Sequence, residues 1–441
     1  MTCVPEVPKK VKPTVLIAAT SHWFPTARLA MALADAGCNV EAVCPPRHPL
    51  RVTRAVHQTH TYRGLAPLIS LADAIGAAKP DLIIPGDDLS TRHLHHLYRQ
   101  ELDRGQKGSH TCELIQRSFG APESFPVVYE RASFMRLAEE EGVRAPKTGV
   151  VSNLEDLRRW TSRMGFPVVL KADGTSGGDG VRVAETLEEA ERAFRALQAP
   201  PLLARAAKRA LVDHDKTLVW PSLFRRRFVV SAQTFVDGHE ATSMVACSKG
   251  TVLAGLHFEV IHKRYSAGPA TVMRLIDNAE ISGAVEKIVC RLGLSGVHGF
   301  DFMIEAHTGN AYLIEINPRT TQVGHLALGP GRDLAAALAG VLTGTAIQPR
   351  PKVTESDTIT LFPQEWMKDP ESPFLQSGYH DVPWGEPQLI LACVRQALKR
   401  NHSKTLLKWG LTSPTVSATS LRQVDERATR INHELSKCRH E

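Results

Sequence analysis

The stretch Gly299–Arg319, GFDFMIEAHTGNAYLIEINPR, admits few folds. Apolar residues alternate with polar ones on both sides of the turn-forming HTGN tetrapeptide, which predicts two antiparallel strands joined by that turn. Asp301 falls on the first strand. Glu315 and Asn317, two residues apart, share one face of the second, so the hairpin would bring the three together. Oxygen ligands of this kind suit Mg²⁺, which takes a few carboxylates together with substrate phosphates and water. Arg319, again two residues on, adds a planar fork able to hold a pair of phosphoryl or carboxylate oxygens. A solvated acidic hairpin is the competing reading, but it explains poorly why the charges alternate with Phe, Leu and Ile beside an Asn-Pro-Arg turn.

A second stretch points to phosphate. VVLKADGTSGGDGVRV, Val168 to Val183, reads as a strand ending near Lys171, a glycine-rich turn and a second strand. Backbone N–H groups at such a tip can cradle an anion. A G-x-x-x-x-G-K-[ST] loop is excluded, because no lysine follows any of the glycines. The G-x-G-x-x-G dinucleotide fingerprint fails as well, since its third glycine would have to be Val183.

The chain of 441 residues is long enough for two or three domains, and its apolar content of 43% is ordinary for a globular protein. No apolar run approaches the roughly 18 residues of a membrane span, and the N-terminus lacks the apolar core of a secretion signal, so a cytoplasmic protein is expected. The eight cysteines form no C-x-x-C pair and read as reduced, mostly buried thiols. The net charge of +7 resides almost wholly in the tail from Arg395, where ten Lys or Arg face four Asp or Glu. Without interleaved aromatics such a tail reads as a solvated surface, and no nucleic-acid partner is expected.

Along the chain, TVLIAA, a helix ending at Gly37 and NVEAVC form a βαβ unit. A helix over 66–78 leads to the strand PDLIIPGDD, whose end carries Asp87 and Asp88. A ligand site and a plain turn are equally good readings there. His93, His95 and His96 read as the solvated face of a helix, since their spacing does not gather three imidazoles on one side. A new texture begins at Phe125 with an amphipathic helix stopped at Gly142. Residues 205–227 read as a basic insertion, and antiparallel strands and a helix over 278–292 follow. Near the end, Leu421, Val424, Ala428, Ile431, Leu435 and Cys438 form a helical stripe too short for a coiled coil, expected to dock on its own domain, with a homodimer as the alternative.

These motifs, in this order and spacing, resemble the ATP-grasp superfamily over roughly 126–344. The resemblance implies an N-terminal doubly wound βαβ domain (1–124), a two-lobed α+β ATP-grasp fold (125–345) and a C-terminal helical extension (346–441). It implies that Arg131 and Lys171 meet the ATP phosphates beneath a flap carrying Gly177 and Gly178. Gln233, Thr234, Phe235 and Val236 would hold adenine, and Glu240 the ribose hydroxyls. Lys263, with Arg264 beside it, resembles the cation near the γ-phosphate. Asp301, Glu315 and Asn317 match the ligands of Mg²⁺, or of Mn²⁺ in its place, and Arg319 matches the arginine of the E-x-N-P-R motif.

The activity so implied is ATP-dependent activation of a carboxylate as an acyl phosphate, followed by attack of an amine, with small molecules as partners. A bicarbonate-phosphorylating enzyme of the carbamoyl-phosphate synthetase or biotin carboxylase type is the alternative. Against the latter, NPRTTQVGHL lacks the glutamate that biotin carboxylases carry after this arginine, and no biotinylation motif is present. D-alanine ligases place an arginine two residues before the first metal aspartate, where this chain has Gly299. A non-catalytic ATP-binding regulator is the reading from another class. The carboxylate and the amine are not legible. They are expected among the N-terminal strand ends, the VGHL segment near His325, and the stretch from LFPQEW to HDVPWGEP.

Overall fold

The computed structural model describes residues 12–173, 180–199, 228–265, 268–345 and 348–395. Gly177 and Gly178 of the flap, the insertion at 205–227 and the stripe at 421–438 lie outside the described residues.

The N-terminal unit is a parallel sheet built from β1 (Thr14–Ala18), β2 (Asn39–Cys44), β3 (Gln58–Thr61) and β4 (Leu82–Pro85) in the order β3-β2-β1-β4. Helix α1 (Pro25–Asp35) covers one face. Helices α2 (Pro67–Ala78), α3 (Asp88–Asp103) and α4 (His110–Phe119) cover the other. Strands buried on both faces must be apolar throughout, as TVLIA and LIIP are. The chain leaves β1 on one side and β4 on the other, so the crevice between their carboxyl ends is the switch point where such sheets bind ligands.

Asp87 fills that crevice structurally. It caps α3 through a hydrogen bond from the Ser90 N–H of 2.8 Å, and accepts from the Thr20 N–H (2.7 Å), the Thr20 hydroxyl (2.9 Å) and the Ser21 N–H (3.1 Å). The solvated-helix expectation for the histidines of α3 is corrected. The His95 ring stacks on Phe125 at 3.8 Å and contacts the Tyr129 hydroxyl at 3.1 Å, and His93 contacts the Tyr62 hydroxyl at 3.2 Å. Only His96 is exposed. Helix α3 is sandwiched between α2 and α4, and burial drives the pKa of His95 down to about 3.

Helix α5 (Arg131–Glu140) leads into a four-stranded sheet of order β5-β8-β6-β7, made of β5 (Thr148–Val151), β6 (Val168–Ala172), β7 (Val181–Ala184) and β8 (Val230–Thr234). Helices α6 (Leu154–Met164) and α7 (Leu187–Gln198), capped by Asn153 and Thr186, pack on it. After only three connecting residues begins a larger sheet of order β13-β12-β9-β10-β11-β14-β15. Its members are β9 (Gly238–Ser248), β10 (Thr251–Lys263), β11 (Ala270–Leu275), β12 (Gly296–Glu305), β13 (Ala311–Asn317), β14 (Thr358–Thr360) and β15 (Tyr379–His380). One face packs on α5 and α8 (Ala279–Arg291). The other shares a continuous core with α9 (Leu334–Thr343), α1 and the N-terminal sheet. The segment beyond 346, expected to be helical, carries short helices over Gln364–Lys368 and Phe374–Ser377 but also contributes β14 and β15 to this same sheet. The six described cysteines are free, and all but Cys290 are buried. Among the described residues no helix is long and apolar enough to cross a membrane.

Asp87→Ala removes a helix cap and several charge-assisted hydrogen bonds at once, and is expected to lower the thermal midpoint by about 5 °C or more. An unchanged midpoint in a melting experiment would refute the structural role of this carboxylate.

Candidate active site between the two sheets

The site begins with an irregularity in the hairpin. Gly299, Phe300 and Asp301 pair with Asn317, Ile316 and Glu315, but Phe302 pairs with Leu313, so Ile314 is an extra residue in β13. Strict alternation would have sent Glu315 to the same face as Leu313. The bulge shifts the phase, leaving Leu313 and Ile316 in the core with Phe300 and Phe302 and turning Glu315 toward Asp301. Asp301 also accepts hydrogen bonds of 2.9 Å from the Thr242 hydroxyl on Oδ1 and from the Asn317 amide on Oδ2. At Gly299 a Cβ would lie 2.4 Å from the Thr321 methyl, which leaves no room there for the arginine of D-alanine ligases.

Two carboxylates face to face in a partly closed site need counter-charge. Arg131, the first residue of α5, supplies it, with Nη2 3.0 Å from Glu315 Oε2 and Nη1 3.1 Å from Asp173 Oδ1. Burial, then the charge of Glu315, pushes Asp301 up to about 6. Burial acts upward on Glu315 too, but Arg131 and Lys171 outweigh it and hold that carboxyl below its ordinary value. Lys171 is buried near the end of β6. That burial, with the charge of Arg131, lowers its ammonium to about 8 against the opposing pull of Glu315 and Asp301.

Arg319 joins the site to the N-terminal unit. Its Nε lies 2.8 Å from Asp88 Oδ1, its Nη2 3.2 Å from Asn317 Oδ1, and its guanidinium 6.0 Å from the centre of the Trp23 ring. The Thr91 hydroxyl donates to the Pro318 carbonyl at 2.9 Å, and the Thr320 N–H to the Pro85 carbonyl at 3.1 Å. The carboxyl end of β4 is thus bolted to the turn that carries Arg319.

Gln233 and Thr234 end β8, and Phe235 and Val236 lie in the connection to β9. Phe235 is half-exposed and Val236 buried. The Gln233 amide donates to the Thr148 hydroxyl at 3.0 Å, which commits its nitrogen to β5. Glu240 and Lys263, expected to meet different parts of the nucleotide, pair with each other at 2.7 Å. Gly177 and Gly178 lie outside the described residues. Thr242 and Asp173 escaped the sequence reading, although each stands two residues beyond a residue already singled out, Glu240 and Lys171, a spacing that signals a shared strand face. No group of three or more His, Cys, Asp or Glu side chains forms a metal site among the described residues. A divalent cation would therefore have to be held by the oxygens of Asp301, Glu315 and Asn317, with its other ligands from substrate and water, a donor set that suits Mg²⁺.

Residues 130–347 match the family model described as the carbamoyl-phosphate synthase L chain, ATP binding domain. The carbamoyl phosphate synthase large chain of Thermotoga petrophila is 22% identical over 294 residues, 66% of this chain and 25% of that one. The chain thus spans about a quarter of the length of that relative. Among solved structures, biotin carboxylase from Campylobacter jejuni in a nucleotide complex superimposes with a TM-score of 0.55 at 15% identity, covering 76% of this chain and 72% of that one. N5-carboxyaminoimidazole synthetase from Staphylococcus aureus, solved with ADP, gives 0.54 at 16% identity, covering 78% and 80%. These neighbours show the mixed α/β fold, and residues 130–347 resemble the ATP-binding domain of the carbamoyl-phosphate synthases, in line with the ATP-grasp resemblance of the motifs.

Proposed function

We propose that the protein is an ATP- and Mg²⁺-dependent carboxylate–amine ligase, working in the cytoplasm on two small molecules and releasing ADP and phosphate. The observation that carries this reading is the facing pair Asp301 and Glu315, met by Arg131 from α5, Lys171 from β6 and Arg319 from the turn beyond β13. We assign residues 125–345 to the nucleotide-binding unit, with 1–124 and the segment after 346 completing the substrate side.

In this reading a substrate carboxylate oxygen attacks the γ-phosphorus, the bond to the β-phosphate oxygen breaks, and ADP leaves. The amine then attacks the acyl carbon and displaces phosphate. Arg131 and Lys171 bind the phosphates, and Arg319 holds the oxygens of the acyl phosphate. Asp301, Glu315 and Asn317 would hold the metal, which would supply charge withdrawal from the transferring phosphoryl group. Gln233 to Val236 receive adenine. Lys263 is the second catalytic cation, and its pairing with Glu240 keeps it at the ribose and γ-phosphate side until nucleotide separates the two. Preorganised donors of this kind are worth about 3 kcal/mol each in comparable sites. The stretch NPRTTQVGHL carries no glutamate after Arg319, which counts against the biotin carboxylase type. Phosphate release measured with pairs of amino acids tests the reaction. Bicarbonate as the sole effective co-substrate would support the alternative instead.

Glu315→Gln keeps the shape and a hydrogen-bond acceptor for Arg131 while removing the charge. It is expected to cut Mg²⁺-dependent phosphate release at least about a hundredfold, with an unchanged thermal midpoint. Near wild-type release at saturating Mg²⁺ would sink the assignment.

Arg131→Gln leaves Asp173 and Glu315 without their shared cation, so ADP should bind about tenfold more weakly or worse. Calorimetry on the two proteins decides it, and equal affinities would remove Arg131 from the phosphate site.

A further inference from the structure

Three segments distant in sequence meet beside Arg319: the loop and first turn of α1 (Trp23 to Arg28), the turn after Arg319 that carries His325, and the segment from Phe362 to Asp381. Asp381 is buried at their centre, accepting from His325 Nε2 at 2.7 Å and from the guanidinium of Arg28. The Phe24 ring lies 5.7 Å from that of Phe362, which lies 5.9 Å from His380. Five buried polar atoms at this seam have no hydrogen-bond partner among the described residues: Trp23 Nε1, Arg28 Nε, His325 Nδ1, Gln364 Oε1 and His380 Nε2. Buried polar atoms are paired in folded proteins, and such a concentration calls for an occupant with several polar groups of its own.

The chemistry of these atoms defines the occupant. Trp23 Nε1 and Arg28 Nε can only donate, and Gln364 Oε1 can only accept. Burial lowers the pKa of His325, and the hydrogen bond from His325 and the Arg28 guanidinium hold Asp381 below its ordinary value against its own burial. A neutral imidazole whose Nε2–H is given to a carboxylate leaves Nδ1 as an acceptor. The seam therefore offers donors on the N-terminal side and acceptors on the other two segments. We infer that this seam binds the zwitterion of an α-amino acid, its carboxylate toward Trp23 and Arg28 and its amino group toward His325 and Gln364, as the non-nucleotide substrate. The role as substrate rests on the ligase reading; the binding does not. Trp23 lies against Arg319, so the seam borders the residue that would hold an acyl phosphate.

The test uses the full chain with MgADP, titrated calorimetrically with each proteinogenic L-amino acid. Two variants on different segments follow: Trp23→Phe, which keeps an aromatic ring and loses the N–H, and Gln364→Met, which keeps length and loses the acceptor. At least one amino acid is expected to bind, and each variant to weaken it about tenfold, with ADP affinity unchanged as the check on folding. No binding to the wild type at millimolar concentration, which would leave water as the occupant, overturns the inference. So does equal binding to both folded variants. Phosphate release is measured in parallel with the amino acid that binds. Binding at the seam without release refutes the ligase and leaves the site standing. Release with an unaltered KM in both variants refutes the site and leaves the ligase.

Discussion

Like charges held face to face dominate this molecule. Asp301 and Glu315 are fixed across a two-stranded ladder, on backbone that cannot relax away because the opposite face of each strand is core. Their repulsion, together with loss of water, would oppose folding unless cations were built in nearby. The remedy comes from outside the hairpin: Arg131 from the helix that opens the small lobe, Lys171 from that lobe's sheet, and Arg319 from the turn pinned to the N-terminal unit. The charge problem created by one hairpin thereby fixes where three parts of the chain must meet.

The same constraint explains what the sequence made legible. Apolar runs located the elements because burial on one or both faces imposes a period, and Asn278 caps the helix expected over 278–292. Asp301, Glu315 and Asn317 could be placed together from spacing, although the reason given was incomplete. Alternation alone counts Glu315 and Leu313 on one face, and only the bulge at Ile314, which leaves no mark in the sequence, separates them. The histidines of α3 were misjudged because helical spacing says which residues share a face but not what packs against it. Phe125 and Tyr129, more than twenty residues on, bury His95. Asp88 was half legible, since its partner Arg319 is 231 positions away.

The division into three units also changes meaning in three dimensions. β14 pairs with β11, and Asp381 ties the C-terminal segment to α1 and to the turn after Arg319, so the chain beyond 346 closes onto both earlier units. Arg350 does the same from a second direction, gripping the buried Asp333 that caps α9 through contacts of 2.9 to 3.2 Å. Breaking either pair would strand a buried charge, which costs far more than an exposed ion pair is worth. The segment is therefore integral to the fold of both earlier units rather than an appendage to them.

Lys171 carries the electrostatic logic to its consequence. Its ammonium is pulled down to about 8 by burial and by Arg131, while the carboxylates nearby recover only part of that loss. The site is thus poised short of balance: a buried cation sits close to a second one, and of the carboxylates near Lys171, Glu315 is already paired with Arg131 and Glu240 with Lys263. In the proposed reading an incoming polyanion would relieve the repulsion among the cations, and Asp301 and Glu315 would shed theirs on holding a divalent cation. Each favours the other, because the anion draws Arg131 and Lys171 away from the carboxylates that the metal then neutralises. Binding the two together costs less than binding either alone, which is the coupling that a site for a metal–nucleotide complex requires.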